Sequence, residues 1–328
     1  MPARNYYEIL EVSPRARREV IHAAWRELSK VLGDGNPDRS LINEAKEVLE
    51  DDVKRAAFDK SISPPKGKVV RIGNYRVIDQ IAEGGFGVTY RAEHELLKKL
   101  VCIKHSSNIS AIDKALMIEE AQAVFDLRHW AIPAVRDIIE LEDGSLAIVM
   151  SYVPGRNLQQ IVDDKGPLDA EHVCWITERV LNALCYLHDN GVIHGDVKPA
   201  NIIIQPENHQ IALVDYGLAL VKPGRTTAVK GYTPMFASPE QKENKPLLPE
   251  SDLYSLGLTM IYALGGDPAS MKVLTTTADP VRKFIGRLTV RNVLARPNWA
   301  KENLLQTISD VRQEAFGRRW SNMKTLEV

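Results

Sequence analysis

Cysteine is scarce: three residues in 328. Cys102, Cys174 and Cys185 are an odd number at no metal-ligand spacing, which excludes a disulfide framework or a zinc site as the organising principle. Each sits in an apolar stretch, where packing is the expected role. No apolar run is long enough to span a bilayer, and Met1-Pro2-Ala3-Arg4-Asn5-Tyr6 lacks the apolar core of a signal peptide. A reducing cytoplasm is therefore the expected setting. Charge of one sign is also missing. Lys and Arg total 42 and Asp and Glu 43, so the formal net charge of −1 gives no general attraction to nucleic acid or to a membrane. The local cluster Arg15, Arg17 and Arg18 suits a solvated helix face as well as a partner site. There is no internal repeat and no low-complexity tract. What is present, 44% hydrophobic and 26% charged residues, describes a globular chain with room for two domains, one of them sizeable.

The composition changes near Ser61-Ile62-Ser63-Pro64-Pro65-Lys66-Gly67-Lys68, a linker-like stretch. Before it the pattern is helical. Val20, Ala23, Ala24, Leu28 and Val31 recur at helical spacing between Pro14 and Leu32, with Ser13 as cap and Pro14 in the first turn. A third helix is expected over about 40–57, with Ile42, Ala45, Val48 and Leu49 inward. After the linker, strands are expected at 75–81, 88–92, 100–104, 134–140 and 146–150, with one helix over 111–127 capped by Ser110. From Asp169 helices dominate, the longest over 169–189, 251–264 and 298–316. A sheet-rich half followed by a helix-rich half predicts an α+β domain of two lobes.

The most informative run is His194-Gly195-Asp196-Val197-Lys198-Pro199-Ala200-Asn201, followed by Asp215-Tyr216-Gly217. It supplies two carboxylates, a lysine and an amide, the groups needed to handle a nucleotide phosphate and its magnesium. Ile81-Ala82-Glu83-Gly84-Gly85-Phe86-Gly87-Val88-Thr89-Tyr90 lies between two strands, where glycines let backbone amides approach a triphosphate. Alone, such a hairpin is more often structural. A strand, not a helix, follows it, which excludes a Rossmann turn. Lys104 ends the apolar strand Val101-Cys102-Ile103-Lys104, and Glu119 and Glu120 lie in the helix beyond.

Together these motifs resemble the protein kinase family over about residues 73–318, and most strongly bacterial serine/threonine kinases. The resemblance implies a small antiparallel β lobe with one helix and a large helical lobe. It implies that Asp196 orients or accepts the substrate hydroxyl proton, that Lys198 neutralises the transferring phosphoryl group, and that Asn201 and Asp215 hold magnesium, with manganese as a substitute. Lys104 would bind ATP phosphates, held by Glu120 in preference to Glu119 because Glu120 directly precedes Ala121 as in the family pattern. Ala82, Gly84, Gly85, Phe86 and Gly87 would cover the phosphates, and Met150, Tyr152 and Val153 would lie against adenine. Ser238-Pro239-Glu240 resembles the close of an activation segment, with Arg296 to pair with Glu240 and Asp252 to fix the catalytic loop. Thr226, Thr227 and Thr233 lie in that segment. Three residues depart from the pattern. Gly195 stands where an arginine usually receives an activating phosphate, Tyr216 replaces phenylalanine, and Ala82 replaces the first glycine. The change at Gly195 predicts control that does not depend on a phosphate–arginine pair.

Asn5-Tyr6-Tyr7-Glu8-Ile9-Leu10, Ile42-Asn43-Glu44-Ala45-Lys46-Glu47-Val48-Leu49 and Arg55-Ala56-Ala57-Phe58-Asp59 resemble a J-domain. The family's His-Pro-Asp triplet between the second and third helices is read as replaced by Gly33-Asp34-Gly35. The expected organisation is a J-like all-α module at 1–62, a linker at 63–72, a kinase domain at 73–318 and a tail at 319–328. The resemblance implies protein substrates and a protein partner for the J-like module, without nucleic acid or a membrane span. Two readings stay open: an active serine/threonine kinase, and a pseudokinase or chaperone-adaptor scaffold.

Overall fold

The structure, a computed structural model, describes residues 6–10, 12, 16, 18–32, 38–62, 70–84, 87–106, 111–205, 210–224 and 226–317. The chain divides into two compact units. One comprises residues 1–118 and 135–152, the other residues 119–134 and 153–328.

The first unit opens with four helices: α1 (Tyr6–Ile9), α2 (Arg18–Leu32), α3 (Asp38–Glu50) and α4 (Asp52–Ile62). Their core is Tyr7, Leu10, Ile21, Ala24, Ile42, Ala45, Leu49 and Phe58. The Tyr7 hydroxyl donates to Asp59 at 2.8 Å and accepts from Arg55 Nε at 2.9 Å, which ties α4 to α1. The single helix expected over 40–57 is two helices. Asp51 Oδ1 accepts from the amides of Val53 and Lys54, both at 2.9 Å, so this residue ends α3 and caps α4. The proposed caps Ser13 and Ser110, and Pro14, lie outside the described residues.

The same unit holds one sheet of six antiparallel strands: β1 (Arg71–Ile72), β2 (Tyr75–Gly84), β3 (Gly87–His94), β4 (Leu100–Ser106), β5 (Val135–Glu140) and β6 (Leu146–Ser151). Their order is β1-β2-β3-β4-β6-β5. Alternation puts Val101 and Ile103 into a core with Ile72, Tyr75, Ala92, Ala147 and Val149. Residues 63–69 of the expected linker are outside the described residues. Arg71 and Ile72, at its end, already pair with Arg76 and Tyr75, so the sheet starts earlier than expected. Helix α5 (Ala111–Phe125) crosses the division between the units.

The second unit is mostly helical: α6 (Leu158–Lys165), α7 (Ala170–Asp189), α8 (Pro239–Lys242), α9 (Pro249–Ala263), α10 (Asp279–Leu288) and α11 (Leu304–Phe316). Short strands β7 (Arg156–Asn157), β9 (Ile202–Gln205) and β10 (Gln210–Leu213) form one small sheet, and β8 (Val192–Ile193) pairs with β11 (Leu220–Val221). Asp169 caps α7, accepting from the Glu171 amide at 2.9 Å. Helix α9 is buried on nearly every face, as a central helix must be. Helix α11 starts later than the expected 298, because Asn303 Oδ1 accepts from the amides of Leu305 and Gln306, both at 3.1 Å.

Candidate active site

The loop between β8 and β9 carries Asp196, Lys198 and Asn201, and it is hung from the first turn of α9. Asp252 Oδ2 accepts from the His194 amide, and Oδ1 from the Gly195 amide, each at 2.8 Å. Oδ2 also accepts from His188 Nε2 at 2.8 Å. The Trp299 indole donates to His188 Nδ1 at 2.8 Å. Nδ1 is thus the accepting nitrogen and Nε2 carries the proton. Burial would raise the Asp252 carboxyl, but the hydrogen bonds from His188 and the Gly195 amide hold it below the usual range. Burial pushes the His194 imidazole down, against the nearby carboxylates Asp252, Asp196 and Asp215. Its Nδ1 accepts from the Asp196 amide at 3.2 Å and its Nε2 donates to the Val214 carbonyl at 3.2 Å, the pattern of a neutral ring.

Three predicted residues converge on Asp196. Thr233 Oγ1 donates to its Oδ1 at 2.7 Å, Lys198 Nζ lies 2.9 Å from its Oδ2, and Asn201 Nδ2 donates to Oδ2 at 3.0 Å. Lys198 Nζ also donates to Thr233 Oγ1 at 2.8 Å, closing the network. Thr233 therefore belongs to the loop chemistry and differs from Thr226, which is exposed, and Thr227, whose hydroxyl accepts from the Gly224 amide at 2.8 Å. Asn201 Nδ2 also donates to the Asp196 carbonyl at 2.9 Å, so the amide nitrogen is committed and the Asn201 oxygen is turned to serve as an acceptor. The Val214 amide donates to the Asn201 carbonyl at 2.9 Å, which fixes the neighbouring Asp215 relative to Asn201. Asp215 has φ +65°, a left-handed conformation uncommon for a residue other than glycine. Tyr216 keeps the aromatic element expected there. Its ring centroid lies 4.9 Å from that of His194, and its hydroxyl, pushed up by burial, donates to the Leu213 carbonyl at 2.9 Å.

The support residues also meet as predicted. Arg296 makes a bidentate pair with Glu240, at 2.6 and 2.9 Å, and both are buried. Burial would raise the Glu240 carboxyl, but Arg296 and Ser251 hold it below its ordinary value. Gly195 has φ +76°, and a Cβ there would lie 2.7 Å from the Leu218 carbonyl. The missing arginine is thus matched by a backbone that disfavours any side chain.

In the first unit, Lys104 lies on β4, opposite Thr89 of β3 and Ile148 of β6. Gly84 and Gly87 face each other at the β2–β3 hairpin, and Ala82 opposes Thr89. Gly85 and Phe86 lie outside the described residues. A Cβ at Gly87 would overlap the His105 carbonyl, so close strand approach by itself requires glycine there. Met150 lies on β6, and the division between the units falls between Tyr152 and Val153. In the second unit, Glu120 is buried, whereas Glu119 is largely exposed and pairs with Lys230 at 3.0 Å. Sequence reasoning missed His188, Trp299, Gln241 and Lys230. The only signal for His188 is its place in the last turn of a long helix, and the others carry none.

The expected replacement Gly33-Asp34-Gly35 lies outside the described residues. Helix α3 begins after it, at Asp38.

The protein kinase domain pattern matches residues 75–327, and the DnaJ domain pattern matches residues 5–59. The chain belongs to the protein kinase family and carries a J domain before the kinase domain. It is 36% identical over 206 residues to the serine/threonine-protein kinase pkn3 of Myxococcus xanthus, a match covering 58% of this chain and 38% of that protein. It is 30% identical over 279 residues to the probable serine/threonine-protein kinase pknA2 of Bifidobacterium longum, covering 75% of this chain and 37% of that one. With the serine/threonine-protein kinase PrkC of Bacillus subtilis it shares 32% identity over 201 residues, covering 59% and 31%. The chain thus spans well under half the length of these relatives. Membership of the family implies use of ATP and a divalent metal. Among the described residues, no helix is long and apolar enough to cross a membrane.

Proposed function

We propose that the chain is an ATP-dependent protein kinase that transfers the γ-phosphate to serine and threonine hydroxyls. The observation that carries this reading is the Asp196 carboxylate held by Thr233, Lys198 and Asn201 on a loop anchored by Asp252. Asp196 then orients a substrate hydroxyl and takes up its proton, while Lys198 offsets charge on the phosphoryl group. The donor set suits magnesium, with manganese as a substitute. Asn201 offers an amide oxygen whose nitrogen is already engaged, and Asp215 offers a carboxylate. Two hard oxygen ligands are what a magnesium ion sharing its shell with phosphates and water requires. The bound ion supplies charge neutralisation between the phosphates.

Lys104 is assigned to the phosphates, and Glu120 to the place of the family's supporting carboxylate. The hairpin Ala82, Gly84, Gly85, Phe86 and Gly87 covers them, and Met150, Tyr152 and Val153 receive adenine. Thr226 and Thr227 are assigned as autophosphorylation sites. Glu240, Asp252 and Arg296 support the loop. Residues 1–62 form the J module, 63–72 the link, 73–318 the kinase domain and 319–328 a tail, in a cytoplasmic protein. With the family's triplet read as replaced by Gly33-Asp34-Gly35, the J module is assigned to docking or regulation by a protein partner instead of chaperone stimulation. Transfer from radiolabelled ATP to the chain and to casein tests the kinase reading. Wild type incorporates label and Asp196→Ala and Asp215→Ala do not, whereas equal incorporation in all three refutes it. Stimulation of a chaperone ATPase by the full chain refutes the reading of the J module.

A further inference from the structure

The backbone of Gly195 is gripped on both sides of its Cα by buried side chains. Its amide donates to Asp252 Oδ1 at 2.8 Å, and its carbonyl accepts from Gln241 Nε2 at 2.7 Å. Gln241 belongs to α8, at the close of the segment that begins with Asp215, and is only 3% exposed. The other end of its amide faces Ser238. Gln241 Oε1 accepts from the Ser238 amide at 3.0 Å and the Ser238 hydroxyl at 3.2 Å. The chemistry of the partners fixes which amide atom is which. The Gly195 carbonyl can only accept and the Ser238 amide can only donate. Asp196 follows directly on the gripped peptide. Gly195, at φ +76° and without a side chain, has nothing of its own with which to brace that turn.

We propose that Gln241 is a positioning residue for phosphoryl transfer: its amide ties the end of the segment to the Gly195 carbonyl and so sets the orientation of Asp196. This rests on the kinase reading. The competing role, capping α8, is separable because each function uses a different atom. Gln241→Glu keeps the acceptor for Ser238 and removes the donor to Gly195. Gln241→Met removes both at similar length. Ser238→Ala weakens the cap and keeps the donor.

The test compares the full chain and these three variants in steady-state kinetics with ATP and casein, in thermal unfolding, and in hydrogen exchange over 192–201. Both Gln241 variants lower kcat by about tenfold or more with KM for ATP unchanged within about twofold, because orientation and not nucleotide binding is lost. Exchange over 192–201 speeds up in both, and Ser238→Ala keeps kcat within about threefold of wild type. Unchanged kcat and exchange in the Gln241 variants overturns the proposal. So does a loss of kcat in Ser238→Ala as large as theirs. Failure of Gln241→Met to fold does so too, since the role is then structural. A wild type that transfers no phosphate refutes the kinase reading, while exchange over 192–201 still decides whether Gln241 holds the loop.

Discussion

Asp252→Asn changes one buried oxygen to an NH2 at nearly constant volume, and the surroundings determine its cost. Three donors point at the carboxylate: the His194 and Gly195 amides and His188 Nε2. None of them can reverse its role. Two are backbone groups, and Trp299 holds the third in its donating tautomer. Asparagine offers an oxygen to only one side. Its better orientation puts that oxygen in the place of Oδ2, serving His194 and His188, and sets its NH2 against the Gly195 amide. One buried donor is then orphaned, at about 1–3 kcal/mol, and the two retained bonds pass from a charged to a neutral acceptor, at about 1 kcal/mol each. The sum is roughly 3–5 kcal/mol, a large fraction of the ~5–15 kcal/mol that holds a domain folded. At about 2–4 °C per kcal/mol for a unit of this size, the melting temperature falls by ~10 °C. Thermal unfolding followed by circular dichroism near neutral pH measures it, with hydrogen exchange over 192–201 reporting the loop. A melting temperature within about 2 °C of wild type would falsify the three-donor account, because no orientation of the amide satisfies all three.

Glu240→Gln leaves Arg296 buried without its counter-charge and destabilises by about 3–5 kcal/mol. The Glu240 pKa is lowered on folding, so its contribution is fully present above the unfolded value near ~4.3 and is lost as pH falls through the folded value. Urea titrations of wild type and variant should keep a constant gap down to about pH 4.5 and converge below it, and convergence at higher pH counts against the pairing. Thr233→Val removes the hydroxyl that both donates to Asp196 and accepts from Lys198. Turnover drops by about tenfold or more with little change in stability, and an unaltered kcat would remove Thr233 from the network. Thr226→Ala combined with Thr227→Ala retains more than about a third of wild-type kcat, since Gly195 offers no arginine to receive a phosphate, and abolition of activity refutes that reasoning.

Much of the site was legible because its residues are chemical groups in a fixed local register. His194 to Asn201 fold into one loop, and Asp215, Thr233 and Asp252 each occupy a place where one residue type suffices. The lobes were legible from the switch between alternating and helical apolar spacing at about residue 70 and again at Asp169. The residues that were missed act only through tertiary contact. Trp299 reaches His188 across 111 positions and Gln241 reaches Gly195 across 46, with no periodicity to announce either. Asp51 reads as one more exposed helix residue until its carboxylate is seen accepting from Val53 and Lys54.

Gly195 shows how the two kinds of information combine. As a letter it records the loss of an arginine and of the phosphate that arginine would receive. In the fold it is a peptide with positive φ whose missing Cβ makes room for the Leu218 carbonyl. Its amide and carbonyl are held by Asp252 and Gln241 from two different helices. An arginine's charge would act on the segment only once a phosphate is added, whereas these two hydrogen bonds are made in the unmodified chain. The anchor at Asp252 and the tie at Gln241 therefore do separable work on one residue. The first suspends the loop from α9, and the second makes the orientation of Asp196 depend on how the segment ends.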